Sequence, residues 1–299
     1  MPHRLRHKFR DRQEVLRQVP RWCHPGKSGP VTGLTNMATR IPESELVLHY
    51  QPRISLCDRK LIGFEALVRW DHPEHGLLAP ARFIPMAETN GLIVPINRWV
   101  LNTACCQMAC WQRSFPMYPP LAISVNTSFR YLKDRSLVLD IERILEQSGL
   151  VPESLRLEMA EHSIMTRGET VTPTLRCLKA MRTGLEIDDF GAGRASLAYL
   201  RNLPFDTLKI DRSFVKELGT RLDSSAIIKT IVKFAGSLGM EVAAGGVETQ
   251  NQLKQLTDLG CRRGQGYYFS APVDAAHARA LIESEYHERT NSRSSIHLV

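Results

Sequence analysis

Five short apolar stretches of the chain each place a charged or amide side chain toward the interior of a sheet. In chain order these side chains are Glu65, Asn126, Glu158, Asp188 and Lys209. Successive side chains of a strand face opposite sides, so each of the five lies opposite the apolar residues next to it. Leu67 and Arg69 share the face of Glu65. A charged group buried without a partner destabilises a fold by several kcal/mol, so a cluster of this kind needs paired charges or metal ions.

Carboxylate and amide oxygens, with no Cys or His among them, are the ligands that Mg²⁺ and Mn²⁺ prefer. Asp188 is followed directly by Asp189, and adjacent carboxylates would bridge two such ions. Two metals about 4 Å apart are the arrangement used to hydrolyse phosphodiesters. The alternative is an ion-pair network without metal, made by Glu65, Glu158, Asp188, Arg69 and Lys209. We favour the metal site because carboxylates outnumber cations at these strand ends.

The elements that must position these residues alternate along the chain. Strands are predicted at residues 46–51, 60–70, 121–126, 155–159, 185–188, 207–210, 240–244 and 266–269. Helices are predicted between them at residues 96–111, 136–148, 172–182, 225–238 and 250–259. Eight strands alternating with helices favour an α/β fold of the (β/α)8 TIM-like barrel type, whose sites lie at the carboxyl ends of the strands. The first two strands have no helix between them, so the barrel should be irregular there.

Positive charge is concentrated at the start of the chain. The 299 residues carry a formal net charge of +8, and nine Lys or Arg against Asp11 and Glu14 put seven of these charges in residues 1–40. We predict a basic, poorly ordered leader over 1–40, a barrel domain over 41–284 and a polar tail over 285–299. Leaders of similar charge bind nucleic acid or acidic lipid, but this one has no interleaved aromatic residues, so we favour an unbound arm.

Cysteine usage and hydropathy limit the class of protein. Seven cysteines are scattered without zinc-ligand spacing, which is typical of reduced thiols packed in a core. No stretch approaches 18 consecutive apolar residues, and the start of the chain lacks the apolar run of a secretory signal. We therefore expect a cytoplasmic globular protein.

A series of motifs gives the chain a specific resemblance. Across roughly residues 43–283 they are Tyr50-Gln51-Pro52, Glu65-Ala66-Leu67-Val68-Arg69, Phe83-Ile84-Pro85, Ser124-Val125-Asn126, Leu157-Glu158 with Glu161, Asp188-Asp189-Phe190-Gly191, Leu208-Lys209-Ile210-Asp211, Gly246-Val247-Glu248-Thr249 and Gln265-Gly266-Tyr267. In this order they resemble the EAL domain family. That resemblance implies a modified barrel that binds the bacterial second messenger cyclic di-GMP and hydrolyses it to the linear dinucleotide with two divalent metals.

The resemblance also implies roles for individual residues. Glu65, Asn126, Glu158 and Asp188 would hold one Mg²⁺ or Mn²⁺ ion, and Asp188 and Asp189 would hold the second. Lys209 would bind the attacking water or the phosphate. Substrate contacts would come from Gln51, Leu67, Arg69 and Gln265, with Arg69 on a phosphate oxygen. Glu161 would anchor the loop that follows Asp189.

One position departs from the family at a point that concerns catalysis. Where the family has Ala-Glu-Gly-Val-Glu-Thr, this chain has Ala244-Gly245 followed by Gly246. The missing glutamate is a ligand of the second metal and a candidate general base, and glycine supplies neither function. Glu248, three residues on, is a weak candidate to replace it, since an extended segment would direct it away. The loop departs too, with Ala192, Arg194 and Ala195 in place of Thr, Tyr and Ser.

Two functions from different classes remain open. The first is a cyclic di-GMP phosphodiesterase whose second metal site is weakened and whose hydrolysis is slow or lost. The second is a non-catalytic signalling module that acts as a cyclic di-GMP receptor or through a protein partner. The family also contains homodimers in which the loop from Ala192 couples the metal site to the dimer contact, and the sequence leaves that coupling open.

Overall fold

The computed structural model describes residues 41–191, 200–219 and 222–294, and within these ranges the strands form one closed sheet. The predicted leader over 1–40 and the loop over 192–199 lie outside the described residues. The strands are β1 (Leu46–Ser55), β2 (Leu61–His72), β3 (Gly76–Leu78), β4 (Ala122–Asn126), β5 (Leu155–Ala160), β6 (Gly184–Phe190), β7 (Thr207–Ile210), β8 (Glu241–Ala244) and β9 (Arg263–Gly264).

The sheet closes between its first two strands. Its order is β1-β9-β8-β7-β6-β5-β4-β2, with β1 paired to β2 as well, and β3 extends from β2 as a hairpin. Neighbours from β2 through β4 to β9 run parallel. β1 is antiparallel to both its neighbours. The eight-stranded barrel and its irregular first corner are therefore confirmed.

Helices cover the outside of the barrel. They are α1 (Ile84–Asn90), α2 (Ile93–Ser114), α3 (Phe129–Leu132), α4 (Leu137–Ser148), α5 (Glu161–Arg167), α6 (Thr172–Ala180), α7 (Arg212–Lys216), α8 (Leu222–Ser237), α9 (Gln250–Asp258) and α10 (Ala275–Ser294). None of the described helices combines the length and apolar character that a membrane span requires.

Local sequence explains where these helices begin and end. In α4, buried Leu137, Ile141 and Ile144 recur at helical spacing, and the helix ends at Gly149, whose φ of 71° suits glycine. α9 begins with a capping box, in which the Thr249 hydroxyl accepts a hydrogen bond from the Gln252 N–H while the Gln252 amide oxygen accepts one from the Thr249 N–H.

The two faces of the barrel wall differ in chemistry. Outward-facing Phe64, Ile123, Leu157, Ile187 and Leu208 are completely buried under the helices. The inward face is largely charged, whereas barrels of this type usually fill their interior with branched aliphatic side chains. The hydrophobic core therefore lies between strands and helices, and the interior of the barrel is left for polar groups.

The predicted position of the last strand is wrong. It was predicted at residues 266–269, but it lies at Arg263–Gly264, and 266–269 form a turn. The Phe269 N–H donates to the Gly266 carbonyl at 3.0 Å, a bond between residues i and i+3 that is typical of a turn. From residue 285 the chain is helical to Ser294, and buried Glu285 and the Arg289 bond to the Leu61 carbonyl at 2.6 Å dock this segment on the barrel.

Candidate metal centre

Three carboxylates from three different strands meet inside the carboxyl end of the barrel. Glu65 on β2, Glu158 on β5 and Asp188 on β6 each offer an oxygen within 4.8 Å of the others. Asn126 at the end of β4 lies beside Glu158 in register and donates a hydrogen bond to Glu65 Oε1 at 2.7 Å. The structure thus brings together all four residues expected to hold the first metal.

Lys209 lies at the centre of this group and forms ion pairs with all three carboxylates. Its Nζ is 2.9 Å from Glu65 Oε2, 2.8 Å from Glu158 Oε2 and 3.3 Å from Asp188 Oδ1. Burial opposes its charge, but Asp188, Glu158 and Glu65 raise its pKa well above the ordinary value. The ion pairs of Lys209 that an ion-pair network without metal would require are therefore present. One ammonium group is shared among three carboxylates.

The pKa values show how crowded the acids are. Burial, and then the nearby Glu65 charge, raise the pKa of Glu158 to about 8. Burial likewise raises the pKa of Asp188, and burial together with Asp188 raises that of Asp189 to about 6. Burial also opposes ionisation of Glu65, but Lys209 and the bonds from Gln265 and Asn126 lower its pKa. Negative charge exceeds what Lys209 neutralises, so the oxygen-rich cluster fits a divalent cation.

Asp189 reaches the same region through a bulge. Strict alternation would send Asp188 and Asp189 to opposite faces of β6. The register with β7 shifts between Ile187 and Phe190, and Asp189 adopts φ 54°, a left-handed conformation. Bulges re-aim side chains in this way next to functional sites. The exposed Asp189 carboxylate consequently lies close enough to Asp188 for the two charges to interact.

The expected substrate contacts lie around the same opening. The Gln265 amide donates to Gln51 Oε1 at 3.0 Å and to Glu65, which ties β1, β2 and the segment after β9 together. Leu67 and Arg69 follow Glu65 on β2 and are half-buried at the mouth. Arg69 donates to the carbonyl of Val68 at 2.8 Å. These four residues therefore surround the carboxylate cluster.

Glu161 lies where the loop after Asp189 begins. It is buried, and its Oε2 accepts a hydrogen bond from the Gly191 N–H at 2.5 Å. Gly191 is two residues beyond Asp189 and is the last described residue before the loop over 192–199. The placement agrees with the anchoring function that the motif suggested.

Position 245 faces the cluster and has no side chain. A β-carbon built on Gly245 would lie 3.8 Å from Lys209 Cε and 3.7 Å from the Ile210 carbonyl oxygen, both ordinary contact distances. Glu248 lies beyond a turn at Gly246 (φ 73°) and is exposed, and its N–H donates to Gln252 Oε1 at the start of α9. The described carboxylate cluster consists of Glu65, Glu158 and Asp188 and does not include Glu248.

Two buried charged residues on the amino-terminal side of the cluster, Arg53 and Glu186, were not predicted from the sequence. Arg53 on β1 donates to Glu158 Oε1 at 3.2 Å and to Glu186 Oε2 at 2.6 Å, and both its partners are inaccessible to solvent. The same alternation would have identified them, since Arg53 shares a face with Gln51 and Glu186 shares one with Asp188. Arg53 thus forms an ion pair with Glu158, one of the candidate metal ligands, on the amino-terminal side of the cluster.

Comparison with known proteins matches these observations to one family. Residues 36–272 match the family model of the EAL domain. The chain is 40% identical over 249 residues to the bifunctional diguanylate cyclase/cyclic di-GMP phosphodiesterase MucR of Pseudomonas aeruginosa, an alignment that covers 83% of this chain and 36% of the relative. It is 42% identical over 236 residues to the cyclic di-GMP phosphodiesterase NbdA of the same species, covering 78% and 30%. The chain spans about a third of the length of these relatives.

Solved structures are similar over the same region. A complex of the PaMucR phosphodiesterase with c-di-GMP has a TM-score of 0.75 and 41% identity, covering 79% of this chain and 94% of that one. The EAL domain of Mycobacterium smegmatis DcpA has a TM-score of 0.69 and 33% identity, covering 80% and 98%.

Proposed function

Because the chain belongs to the EAL domain family, we propose that it binds cyclic di-GMP at the carboxylate cluster and hydrolyses it slowly or not at all. One observation carries the proposal: the cluster around Lys209 is assembled, but the adjoining position 245 is glycine. Glycine at this position removes the candidate general base and one ligand of the second metal, whereas the residues that would contact the dinucleotide and the first metal are kept.

The binding surface follows from the residues around the mouth. Arg69 would contact a phosphate oxygen, since a guanidinium recognises phosphate by charge-assisted hydrogen bonds. Leu67, Gln51 and Gln265 would complete the contacts with the dinucleotide. The relative PaMucR has been solved as a c-di-GMP complex at 41% identity, which supports the same ligand for this chain.

The donor set supports two divalent ions, Mg²⁺ or Mn²⁺. Glu65, Asn126, Glu158 and Asp188 would hold the first, and Asp188 with Asp189 would hold the second, which lacks a ligand at position 245. Bound there, such ions would supply Lewis-acid stabilisation of the phosphate and a more acidic water. Lys209 would hold the attacking water or a phosphate oxygen, using an ammonium group that its three acidic neighbours keep charged.

Hydrolysis requires a group that takes a proton from the attacking water. A general base contributes roughly 10²–10⁴ in rate, and Gly245 has no side chain to provide it. Glu248 is exposed and engaged at the start of α9 through its backbone. The second candidate function, a non-catalytic receptor that acts through a protein partner, is favoured by this same absence. Homodimerisation and a cytoplasmic location remain proposals drawn from the sequence.

Equilibrium binding tests the proposal directly. Calorimetry of the full chain with cyclic di-GMP and Mg²⁺ should give saturable binding, one dinucleotide per chain. Glu65→Gln should weaken it, because the first metal loses a charged ligand, while Glu142→Gln on the exposed face of α4 should not. Absence of binding by the unmodified chain would refute the proposal and leave a module that acts only through proteins.

A further inference from the structure

A cavity lies at the amino-terminal end of the barrel, opposite the end that holds the carboxylate cluster. Its volume is about 440 Å³, and its lining includes Arg53, Arg156, Arg262 and Arg263. A neighbouring cavity of about 330 Å³ shares Arg156 and Arg263 with it. Small residues line the two cavities at or near the start of three strands, namely Gly63 on β2, Ala122 on β4 and Gly184 on β6.

The arginines of this end converge on one buried acid. Glu186, which is inaccessible to solvent, lies 2.6 Å from Arg53, 3.1 Å from Arg156 and 3.8 Å from Arg263. The Glu186 carboxylate therefore forms ion pairs with three guanidinium groups. Burial, and then the neighbouring Arg156 charge, lower the pKa of Arg263, although Glu241 and Glu186 oppose the change. Positive charge is crowded here, as negative charge is at the other end.

The charges lining the two cavities do not balance. The basic residues are Arg53, Arg156, Lys179, Arg182, Arg262 and Arg263. The acids are Glu153, Asp206 and Glu241 at the surface and Glu186 behind them. Arg53 also pairs with buried Glu158, so the formal excess is one positive charge. Arg182 pairs with Glu153, Lys179 with Asp206 and Arg263 with Glu241, whereas exposed Arg262 has no ion pair among the described residues.

We propose that the larger of these two cavities binds a small phosphate-bearing anion, held by Arg156, Arg262 and Arg263. Phosphate carries about −1.5 to −2 charges at neutral pH, so it would offset the positive excess at this end of the barrel. The guanidinium fork donates paired hydrogen bonds to phosphate oxygens. The site is separate from the carboxylate cluster, and Arg53 lies between the two, paired with Glu186 on one side and with Glu158 of the cluster on the other.

Calorimetry with inorganic phosphate tests the site on the full chain. EDTA in the buffer removes divalent cations, so phosphate cannot bind through metal at the carboxylate cluster. The unmodified chain should bind phosphate saturably, with Kd about 1 mM or tighter. Arg262→Ala should weaken binding about tenfold, because a charge-assisted hydrogen bond to the phosphate is lost. Arg135→Ala, an exposed arginine of another surface, should leave it unchanged.

A parallel titration with GMP separates free phosphate from a phosphate monoester. Tighter binding of GMP identifies a nucleotide-type ligand, and tighter or equal binding of inorganic phosphate identifies the free anion; either result supports the site. No saturable binding of either probe would overturn it, as would an equal affinity in Arg262→Ala and the unmodified chain. Loss of affinity in Arg135→Ala to the same extent would also overturn it, because only general surface charge would then be involved.

Discussion

The β-carbon that Gly245 lacks would lie 3.8 Å from Cε of Lys209. Neither the space nor the backbone prevents a side chain there, since the nearest atoms are at contact distance and Gly245 is not in the left-handed region. A glutamate at this position would extend beside the lysine that already serves Glu65, Glu158 and Asp188. The site is thus incomplete at one position that can accept the missing group.

Arg69→Ala should weaken binding of cyclic di-GMP by about tenfold or more. A hydrogen bond to a charged group contributes about 1.5–3 kcal/mol, and each 1.4 kcal/mol is about tenfold in affinity. Calorimetry with Mg²⁺ measures the change, and Arg135→Ala is the matched control. Unchanged affinity in Arg69→Ala would exclude a phosphate contact by this residue.

Affinity for Mn²⁺ should rise from about pH 6 to about pH 8. The pKa of Glu158 is raised to about 8 and that of Asp189 to about 6, so cation binding must displace protons within this range. Because the fold raises the pKa of Glu158 above its ordinary value of 4.5, the cation-free protein is stabilised by protonated Glu158. This stabilisation is fully present below pH 4.5 and is lost as the pH rises through about 8. The gain in Tm on adding Mn²⁺ should therefore also grow with pH.

Calorimetry in buffers of different ionisation enthalpy measures the protons released with Mn²⁺. Glu158→Gln should flatten the pH dependence, while Glu146→Gln, on exposed α4 surface, should keep it. An Mn²⁺ affinity that does not change across the range would show that these acids are not ligands.

The Arg53 and Glu186 pair should show strong coupling in stability. Removing either partner leaves the other charge buried, which destabilises a fold by about 3–5 kcal/mol. Arg53→Met with Glu186→Leu should therefore cost at least about 1 kcal/mol less than the two single changes together. Urea unfolding of the four proteins measures this, with the exposed pair Arg182 and Glu153 as control, whose coupling should stay below about 1 kcal/mol. Strict additivity for Arg53 and Glu186 would contradict the contact.

Alternation of side chains predicted the cluster because its members lie on regular parallel strands. Glu65, Glu158 and Lys209 face inward for the reason that the pattern gave, and the irregular first corner followed from the missing helix. The sequence also indicated that Asp188 and Asp189 would act together, but the bulge and the left-handed φ of Asp189 could not be predicted, since they depend on the pairing of β6 with β7.

Long-range contacts explain the remaining differences. The aromatic run after Gly266 resembles a strand, but the Tyr268 N–H bonds to the Val247 carbonyl and the Phe269 N–H bonds back to the Gly266 carbonyl, so the run forms a turn. The polar composition after residue 284 resembles a tail, but Arg289 bonds to Leu61, which is 228 positions earlier in the chain. Contacts of this kind are absent from local sequence patterns.

Turnover of cyclic di-GMP by the unmodified chain and by Gly245→Glu tests the central claim most directly. Both proteins are incubated with Mg²⁺ or Mn²⁺, and the linear dinucleotide is followed by chromatography. We predict slow or undetectable hydrolysis by the unmodified chain and a gain of at least about tenfold in Gly245→Glu, within the contribution of a general base. Rapid hydrolysis by the unmodified chain, with no gain in Gly245→Glu, would contradict the account.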